Sequence, residues 1–118
     1  MTNEKELIIV DGQIFELKST IFELIMNIIT RIDNIADNYD DSGDLDGERL
    51  VNLLEDLQAL AEGIDIIKNQ YPDIDLSELR EKLDLMERAM EVQDTMLLID
   101  IIKFELKSLL EYWAKNLE

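Results

Sequence analysis

The sequence predicts a mainly α-helical protein, an up-down bundle of four helices that follows a short N-terminal β-hairpin. Apolar residues recur at the 3.6-residue spacing of amphipathic helices along most of the chain. Residues typical of helix caps and turns separate these stretches. A hydrophobic fraction of 47%, with one Pro and four Gly, is typical of a globular helical domain rather than a disordered chain. We expect residues 1–118 to form a single domain.

The hairpin is predicted at residues 6–17. Two apolar runs, residues 7–10 and 14–17, flank Asp11 and Gly12, and Asp-Gly between such runs favours a two-residue type I′ turn. An isolated hairpin is only marginally stable, so we expect this one to cap the helical bundle. Pairing of its edge with a second chain, which would make a dimer, is the alternative.

The first two helices are predicted from their ends and their apolar faces. Thr20 and Glu23 have the spacing of a capping box, and the helix that they open should end near Asn38. A second helix should run from about Gly47 to Gln70, because a proline follows shortly. The apolar faces comprise Ile21, Leu24, Ile25, Ile28, Ile32, Ile35 and Tyr39 in the first helix, and Leu50, Leu53, Leu54, Leu57, Leu60, Ala61, Ile64 and Ile67 in the second.

The third helix should begin after Asp75, which can accept a hydrogen bond from a backbone N–H of the first turn. Its apolar stripe is narrow and comprises Leu76, Leu79, Leu83, Met86 and Met90. Asp94 or Thr95 can cap a fourth helix, although one unbroken helix over residues 77–116 is the alternative.

The stretch from Asp94 to Trp113 is apolar nearly all round, which is typical of a buried helix, so the other helices should pack around it. At 100° per residue, Glu105 falls inside this apolar arc. We therefore expect its carboxylate to be substantially buried. Either an arginine such as Arg31 pairs with it, or a tyrosine hydroxyl or backbone group holds it in an apolar pocket.

The composition excludes several kinds of active site. The chain has neither Cys nor His, which rules out thiol nucleophiles, thiolate metal sites, disulfides and imidazole bases. Any catalysis would rest on carboxylates, Lys, Tyr or an oxygen-liking metal ion. We predict no cofactor and no enzymatic activity.

The charge of the chain is strongly negative, with 28 acidic and 11 basic residues and a net charge of −17. Such a charge disfavours binding to nucleic acid or to anionic membranes and favours a basic protein partner or a cation. The first residues lack the features of a secretion signal, and no apolar stretch reaches membrane-spanning length. We therefore expect a cytoplasmic protein.

The acidic connection between the first two helices partly matches a calcium-binding EF-hand loop. Asn38, Asp40 and Ser42 would occupy positions one, three and five of that loop. Position twelve is Arg49 instead of the bidentate Glu, and Glu48 lies one residue early. We expect a solvated acidic loop and no metal site.

Paired carboxylates on the later helices, Glu78 with Glu81 and Glu91 with Asp94, have the E-x-x-E and E-x-x-D spacing. This spacing resembles that of the all-α nucleotide pyrophosphohydrolases, whose pairs point inward and hold magnesium. Glu78 and Glu81 point away from the apolar stripe of the third helix, so we expect a solvated face.

The third helix also offers the best candidate for a contact surface. Leu85 and Val92 lie off its core stripe, beside Met86 and Met90, and methionine side chains adapt readily to a partner helix. Filling of the core is the alternative role for the two methionines.

The C-terminal stretch has the form D-x-x-x-L-x-D-x-x-x-x-E-L and closes on a Trp. It resembles small uncharacterised acidic helical proteins of bacteria, through Asp94, Leu98, Asp100, Glu105, Leu106 and Trp113. The resemblance implies a helical fold and no particular activity. Size, acidity and helix count are also similar to those of export or assembly chaperones that shield a helix of their partner.

The function predicted from these residues is that of a cytoplasmic interaction module, an adaptor or chaperone-like protein that binds another protein or itself. The enzymatic alternative is a carboxylate-dependent metal hydrolase of phosphorylated small molecules. A third hypothesis is an acidic decoy that occupies a basic, nucleic-acid-binding surface.

Overall fold

A computed structural model of the protein describes residues 12–118, with side chains described from residue 16 onward. Helix α1 spans Gly12–Ser42, α2 spans Gly47–Ile67 and α3 spans Leu76–Glu91. Helix α4 consists of three consecutive segments, α-helical Thr95–Asp100, π-helical Ile101–Leu106 and α-helical Lys107–Leu117. The described chain is thus mainly helical, with four helices and no strand among these residues.

The predicted hairpin is wrong where the structure describes it, because residues 12–17 belong to α1. Residues 6–11, the other part of that prediction, lie outside the described residues. The capping box at Thr20 is also wrong, since Thr20 lies inside α1 and its hydroxyl donates to the Glu16 carbonyl oxygen at 3.0 Å. A hydroxyl inside a helix bonds back one turn instead of capping.

Helix α1 also extends beyond Asn38, its predicted end, to Ser42. Gly43 ends it with φ of 76°, a left-handed conformation that glycine adopts without steric cost. The Gly43 N–H donates to the Tyr39 carbonyl oxygen at 2.7 Å, which satisfies one of the last carbonyl groups of the helix.

The limits predicted for α2 are confirmed closely. Asp46 is its N-cap and accepts a hydrogen bond from the Arg49 N–H, and a 3₁₀ turn at Lys68–Gln70 follows its last α-helical residue. The side chain of Ile21 lies so close to Gly63 that a Cβ there would be only 3.2 Å away, so a glycine lets α1 and α2 approach closely.

The boundary between α3 and α4 is a real break, so the alternative of one helix over residues 77–116 is wrong. Asp75 caps α3 by accepting from the Ser77 N–H, and Asp94 caps α4 by accepting from the Leu97 N–H. Between the helices, Gln93 has φ of 57°, a left-handed conformation that interrupts α-helix.

Cross-helix contacts show that neighbouring helices run antiparallel. Arg31 of α1 pairs with Asp56 of α2. On the other side of α1, Asp33 pairs with Lys107 of α4, and Asp40 pairs with Lys103 of α4. Residue numbers increase along α1 while those of their partners decrease along α4, so the two helices are antiparallel. Helix α3 lies beside α4, where Lys82 pairs with Glu105.

The core lies between the four helices, and α4 contributes more buried residues to it than any other helix in the described chain. The prediction that the other helices pack around the last one is only partly right, because Leu97 and Phe104 on one side of α4 remain exposed. Its buried residues are Leu98, Ile99, Ile101, Ile102, Leu106, Leu109, Leu110, Trp113, Ala114 and Leu117.

Candidate interaction surface on the third and fourth helices

Glu105 does not lie in the core, so the prediction of a buried carboxylate is wrong. Its side chain is 46% exposed, and Oε1 accepts a hydrogen bond of 3.3 Å from Lys82 Nζ on α3. In the described chain no charged or polar residue is classed as buried. The contact with Lys82 is an ion pair near the surface, which contributes little to stability.

The π-helical segment of α4 explains this position. The Lys107 N–H donates to the carbonyl oxygen of Ile102, five residues back, instead of the four-residue step of an α-helix. This turn accommodates one additional residue. Each later side chain is therefore rotated back about the helix axis by about 100°, relative to its position in a regular α-helix. Buried positions therefore step from Ile102 to Leu106, and Glu105 remains outside.

Arg31, the partner predicted for Glu105, instead pairs with Asp56 across the α1–α2 contact. Its Nε is buried and has no hydrogen-bond partner among the described residues. Arg31 borders a cleft of about 440 Å³ between α1 and α2, where Arg49 also lies, paired with Asp46 at 3.3 Å. The other residues that line this cleft are Asn34, Ile35, Asp37, Asn38, Asp41 and Asn52.

The weak calcium candidates do not form an EF-hand loop. Asn38, Asp40 and Ser42 lie in the last turns of α1, where the Ser42 hydroxyl donates to the Asn38 carbonyl oxygen at 2.8 Å. Glu48 lies in the first turn of α2. The prediction of a loop at residues 38–42 is wrong because the helix continues through them. Across residues 16–118 no three acidic side chains are arranged to hold a metal ion.

The carboxylate pairs that resemble those of the pyrophosphohydrolases lie on the outside of the bundle. Glu78, Glu81, Glu91 and Asp94 are all exposed. Asp94 also has a structural role, since its carboxylate accepts the Leu97 N–H at 3.0 Å as the N-cap of α4. The structure therefore does not bring these four side chains together in a common cavity.

The surface predicted on α3 is partly wrong. Met86 is fully buried in the core, and Leu85 and Met90 are partly buried against it. Val92 alone of the four predicted residues is fully on the surface, with 70% of its area exposed. The alternative role given to Met86, filling of the core, is therefore correct. The prediction that Val92 lies outside the core stripe is also correct.

An exposed apolar surface does exist, but it lies mainly on α4. We call it the α3–α4 face, and it comprises Val92, Met96, Leu97, Phe104 and Tyr112, each between 45% and 70% exposed. The prediction that the stretch from Asp94 to Trp113 is buried nearly all round is therefore wrong at Leu97 and Phe104, whose side chains are exposed. The sequence contained one indication of this surface. Glu105 is a charged residue inside the apolar arc of a regular α-helix, which indicates that the regular period does not hold at this point.

A shallow groove, largely open to solvent and about 400 Å³ in volume, lies between α3 and α4 beside this face. Its lining combines two aromatic residues, one leucine and polar or charged groups, and comprises Glu78, Lys82, Phe104, Glu105, Ser108, Leu109 and Tyr112. Such a lining can accommodate an apolar side chain, or a cation held between aromatic rings and carboxylates.

The opposite edge of α4 is occupied by α1. Lys107 Nζ donates to Asp33 Oδ1 at 2.7 Å, and this hydrogen bond raises the pKa of the Lys107 ammonium above its ordinary value. Lys103 lies 3.8 Å from Asp40. Because α1 covers that edge, the α3–α4 face is the side of α4 that remains open to a partner.

Comparison with known proteins gives a match to a protein-family model. No helix among residues 12–118 combines the length and apolar content needed to cross a bilayer. No curated protein and no solved structure is similar enough to the chain to count as a match. One family model, described as a domain of unknown function (DUF8042), matches residues 16–116 and so covers all four helices. The chain therefore belongs to the DUF8042 family.

Proposed function

We propose that this protein is a non-enzymatic interaction module, an adaptor or chaperone-like protein, that binds another protein through the α3–α4 face. The observation that carries the proposal is the clustering of exposed apolar side chains. Eight large apolar residues of the described chain are exposed, and five of them lie between Val92 and Tyr112. Exposed apolar side chains concentrated in one segment of the chain favour an interaction site there, since water contact with them is unfavourable.

The three remaining exposed apolar residues are separated along the chain, Met26 on α1 and Val51 and Ile66 on α2. Isolated apolar residues on a surface are ordinary and need no partner to explain them. They also supply matched controls, because Ile66 is 60% exposed and Phe104 is 58% exposed.

The net charge of −17 favours a partner other than a second copy of the chain. Two copies would bring like charges together, whereas a basic partner would be attracted over long range. This is also the reason to expect protein rather than nucleic acid or anionic membrane as the partner, and a cytoplasmic location agrees with such a role. No contact in the described chain favours the alternative of a metal-dependent hydrolase.

Site-specific photo-crosslinking in the native cells tests the proposal. A photoreactive phenylalanine analogue at Phe104 should capture one defined protein, and the same analogue at Ile66 should not. Replacing Met96 and Leu97 by serine should reduce the captured amount by at least about tenfold, because the apolar contact is lost. Equal capture from both positions would contradict the proposal. Capture that is insensitive to the serine substitutions but lost in salt would instead favour the acidic decoy.

A further inference from the structure

The groove between α3 and α4 has two aromatic walls that remain open to solvent. Phe104 is 58% exposed and Tyr112 is 49% exposed, whereas Leu109, which also lines the groove, is buried. An exposed aromatic ring attracts a cation through its negative π surface. Lys103 already uses the Phe104 ring in this way, with Nζ 5.4 Å from the ring centroid.

Carboxylates lie beside these rings. Glu78 of α3 and Glu105 of α4 both line the groove, and Lys82 pairs with Glu105 alone. Glu78 is exposed and has no ion-pair partner among residues 16–118. The groove therefore keeps one uncompensated negative charge next to two aromatic rings.

This combination suits one type of side chain better than others. A guanidinium group is planar, stacks on aromatic faces and donates two parallel hydrogen bonds to a carboxylate. An ammonium group carries the same charge but neither stacks flat nor makes the paired hydrogen bonds. We propose that the groove receives an arginine side chain, presented by a basic amphipathic helix of a partner protein. This inference rests on the proposed function and specifies the chemistry of the partner.

The spacing of the exposed residues on α4 supports a helical partner. Leu97, Phe104 and Tyr112 are separated by seven and eight residues, so they mark about 20 Å along the helix axis. An amphipathic helix of about four turns spans that length and can lay its apolar face along the α3–α4 face. Its arginine then enters the groove between Phe104 and Tyr112, where Glu78 lies.

A designed peptide tests the inference directly on the full chain. The probe is a fluorescein-labelled amphipathic peptide of fifteen residues, with leucines along one face and arginines at the edges of that face. Two matched peptides carry lysine or glutamate at the arginine positions. Fluorescence anisotropy should give the tightest binding for the arginine peptide, about threefold weaker binding for lysine, and at least about tenfold weaker binding for glutamate.

Substitutions in the groove separate specific binding from attraction to an acidic surface. Phe104→Ser and Glu78→Gln should each weaken binding of the arginine peptide, Phe104→Ser by about tenfold. Ile66→Ser and Glu62→Gln change equivalent exposed residues of α2 and should leave its affinity unchanged. Circular dichroism should show all four variants folded, because each changed side chain is exposed.

Equal affinity for the arginine and lysine peptides, or equal loss in the groove and control variants, would overturn the inference. The proposed function fails separately. If crosslinking at Phe104 captures a protein while the peptides bind without preference, the interaction module remains and the arginine groove does not. If Phe104 captures nothing and its replacement leaves peptide binding unchanged, both proposals fall.

Discussion

Trp113 is the largest of the fully buried side chains, and its indole N–H has no hydrogen-bond partner among the described residues. A buried donor without an acceptor costs about 1–3 kcal/mol relative to the hydrated group. The indole ring must therefore gain more from packing than its N–H loses, since the residue remains in the core.

Replacing Trp113 by phenylalanine should consequently lower the free energy of unfolding by less than the lost packing of the larger ring would predict. The substitution removes packed atoms but also removes the unpaired donor, so we expect a loss of less than about 2 kcal/mol in the free energy of unfolding. Trp113→Ala leaves a large cavity and should cost about 3–5 kcal/mol. Urea unfolding followed by circular dichroism measures both. Similar losses in the two variants would show that the N–H has an acceptor.

Residue positions were predictable wherever they depend on a few neighbours in the sequence. Asp75 and Asp94 each cap a helix, as their local sequences indicate, because a capping bond spans only two or three residues. The surroundings of Glu105 depend on the accumulated rotation of α4 from Leu98 onward. One π turn changes that rotation by about 100°, which a fixed helical period does not anticipate.

At the scale of elements, the π-helical segment reconciles two apolar patterns in α4. Before it, the central buried residues are Leu98 and Ile102, and after it they are Leu106, Leu110 and Trp113. A straight α-helix favours steps of three and four residues in alternation, whereas this series has three consecutive steps of four. One additional residue in the Ile101–Leu106 segment keeps both halves facing the core.

Deleting Glu105 should therefore yield a folded protein in which α4 is α-helical throughout. Without this residue the buried series acquires regular steps, and every later side chain keeps its face. Deleting Gln58, an exposed residue in the middle of α2, is the matched control. That deletion turns Leu60, Ile64 and Ile67 away from the core and should abolish cooperative unfolding.

Thermal unfolding and the crystal structure of the Glu105 deletion variant provide the measurements. A broad, non-cooperative transition for this variant, like that expected after deletion of Gln58, would show that the π turn is required for the fold. The deletion should also move Phe104 relative to the groove, so binding of the arginine peptide should weaken even though the protein stays folded.

The N-terminal part of α1 illustrates why a local signal can fail at the scale of an element. Asp-Gly is compatible with a hairpin turn and also precedes many helices, since Asp and Gly are both accepted as N-caps. Once the first turn of α1 has formed, each further residue adds one backbone hydrogen bond, so extension of the helix costs far less free energy than its nucleation. The 31-residue helix therefore includes Gly12 and the residues of the expected second strand.

At the scale of the whole molecule, charge and dimensions act together. The described chain measures 53 × 23 × 23 Å, so few charges are more than 23 Å apart across the bundle. At an ionic strength of about 0.01 M the Debye length is about 30 Å, and the excess of acids repels across the full width. At about 0.15 M it is about 8 Å, and only close neighbours interact.

Helix α1 adds to this repulsion at its C-terminal end. Asp37, Asp40 and Asp41 lie there together, and no basic residue occupies the last turn. The C-terminus of a helix carries partial negative charge, so these carboxylates are unfavourably placed. Lys103 compensates Asp40 alone, at 3.8 Å.

Raising the salt concentration should therefore stabilise the protein. The same salt weakens the six ion pairs of the described chain, but partly exposed pairs are each worth about 1 kcal/mol or less. Relief of repulsion among the acids that give a net charge of −17 should outweigh that loss. We expect the melting temperature to rise between 10 mM and 150 mM NaCl, and to rise less in a variant that carries both Asp37→Asn and Asp41→Asn.

Over the same range of salt concentration the arginine peptide should bind more weakly, because the attraction between the acidic protein and the basic peptide is screened. A melting temperature that falls with salt would mean that the ion pairs contribute more than the repulsion.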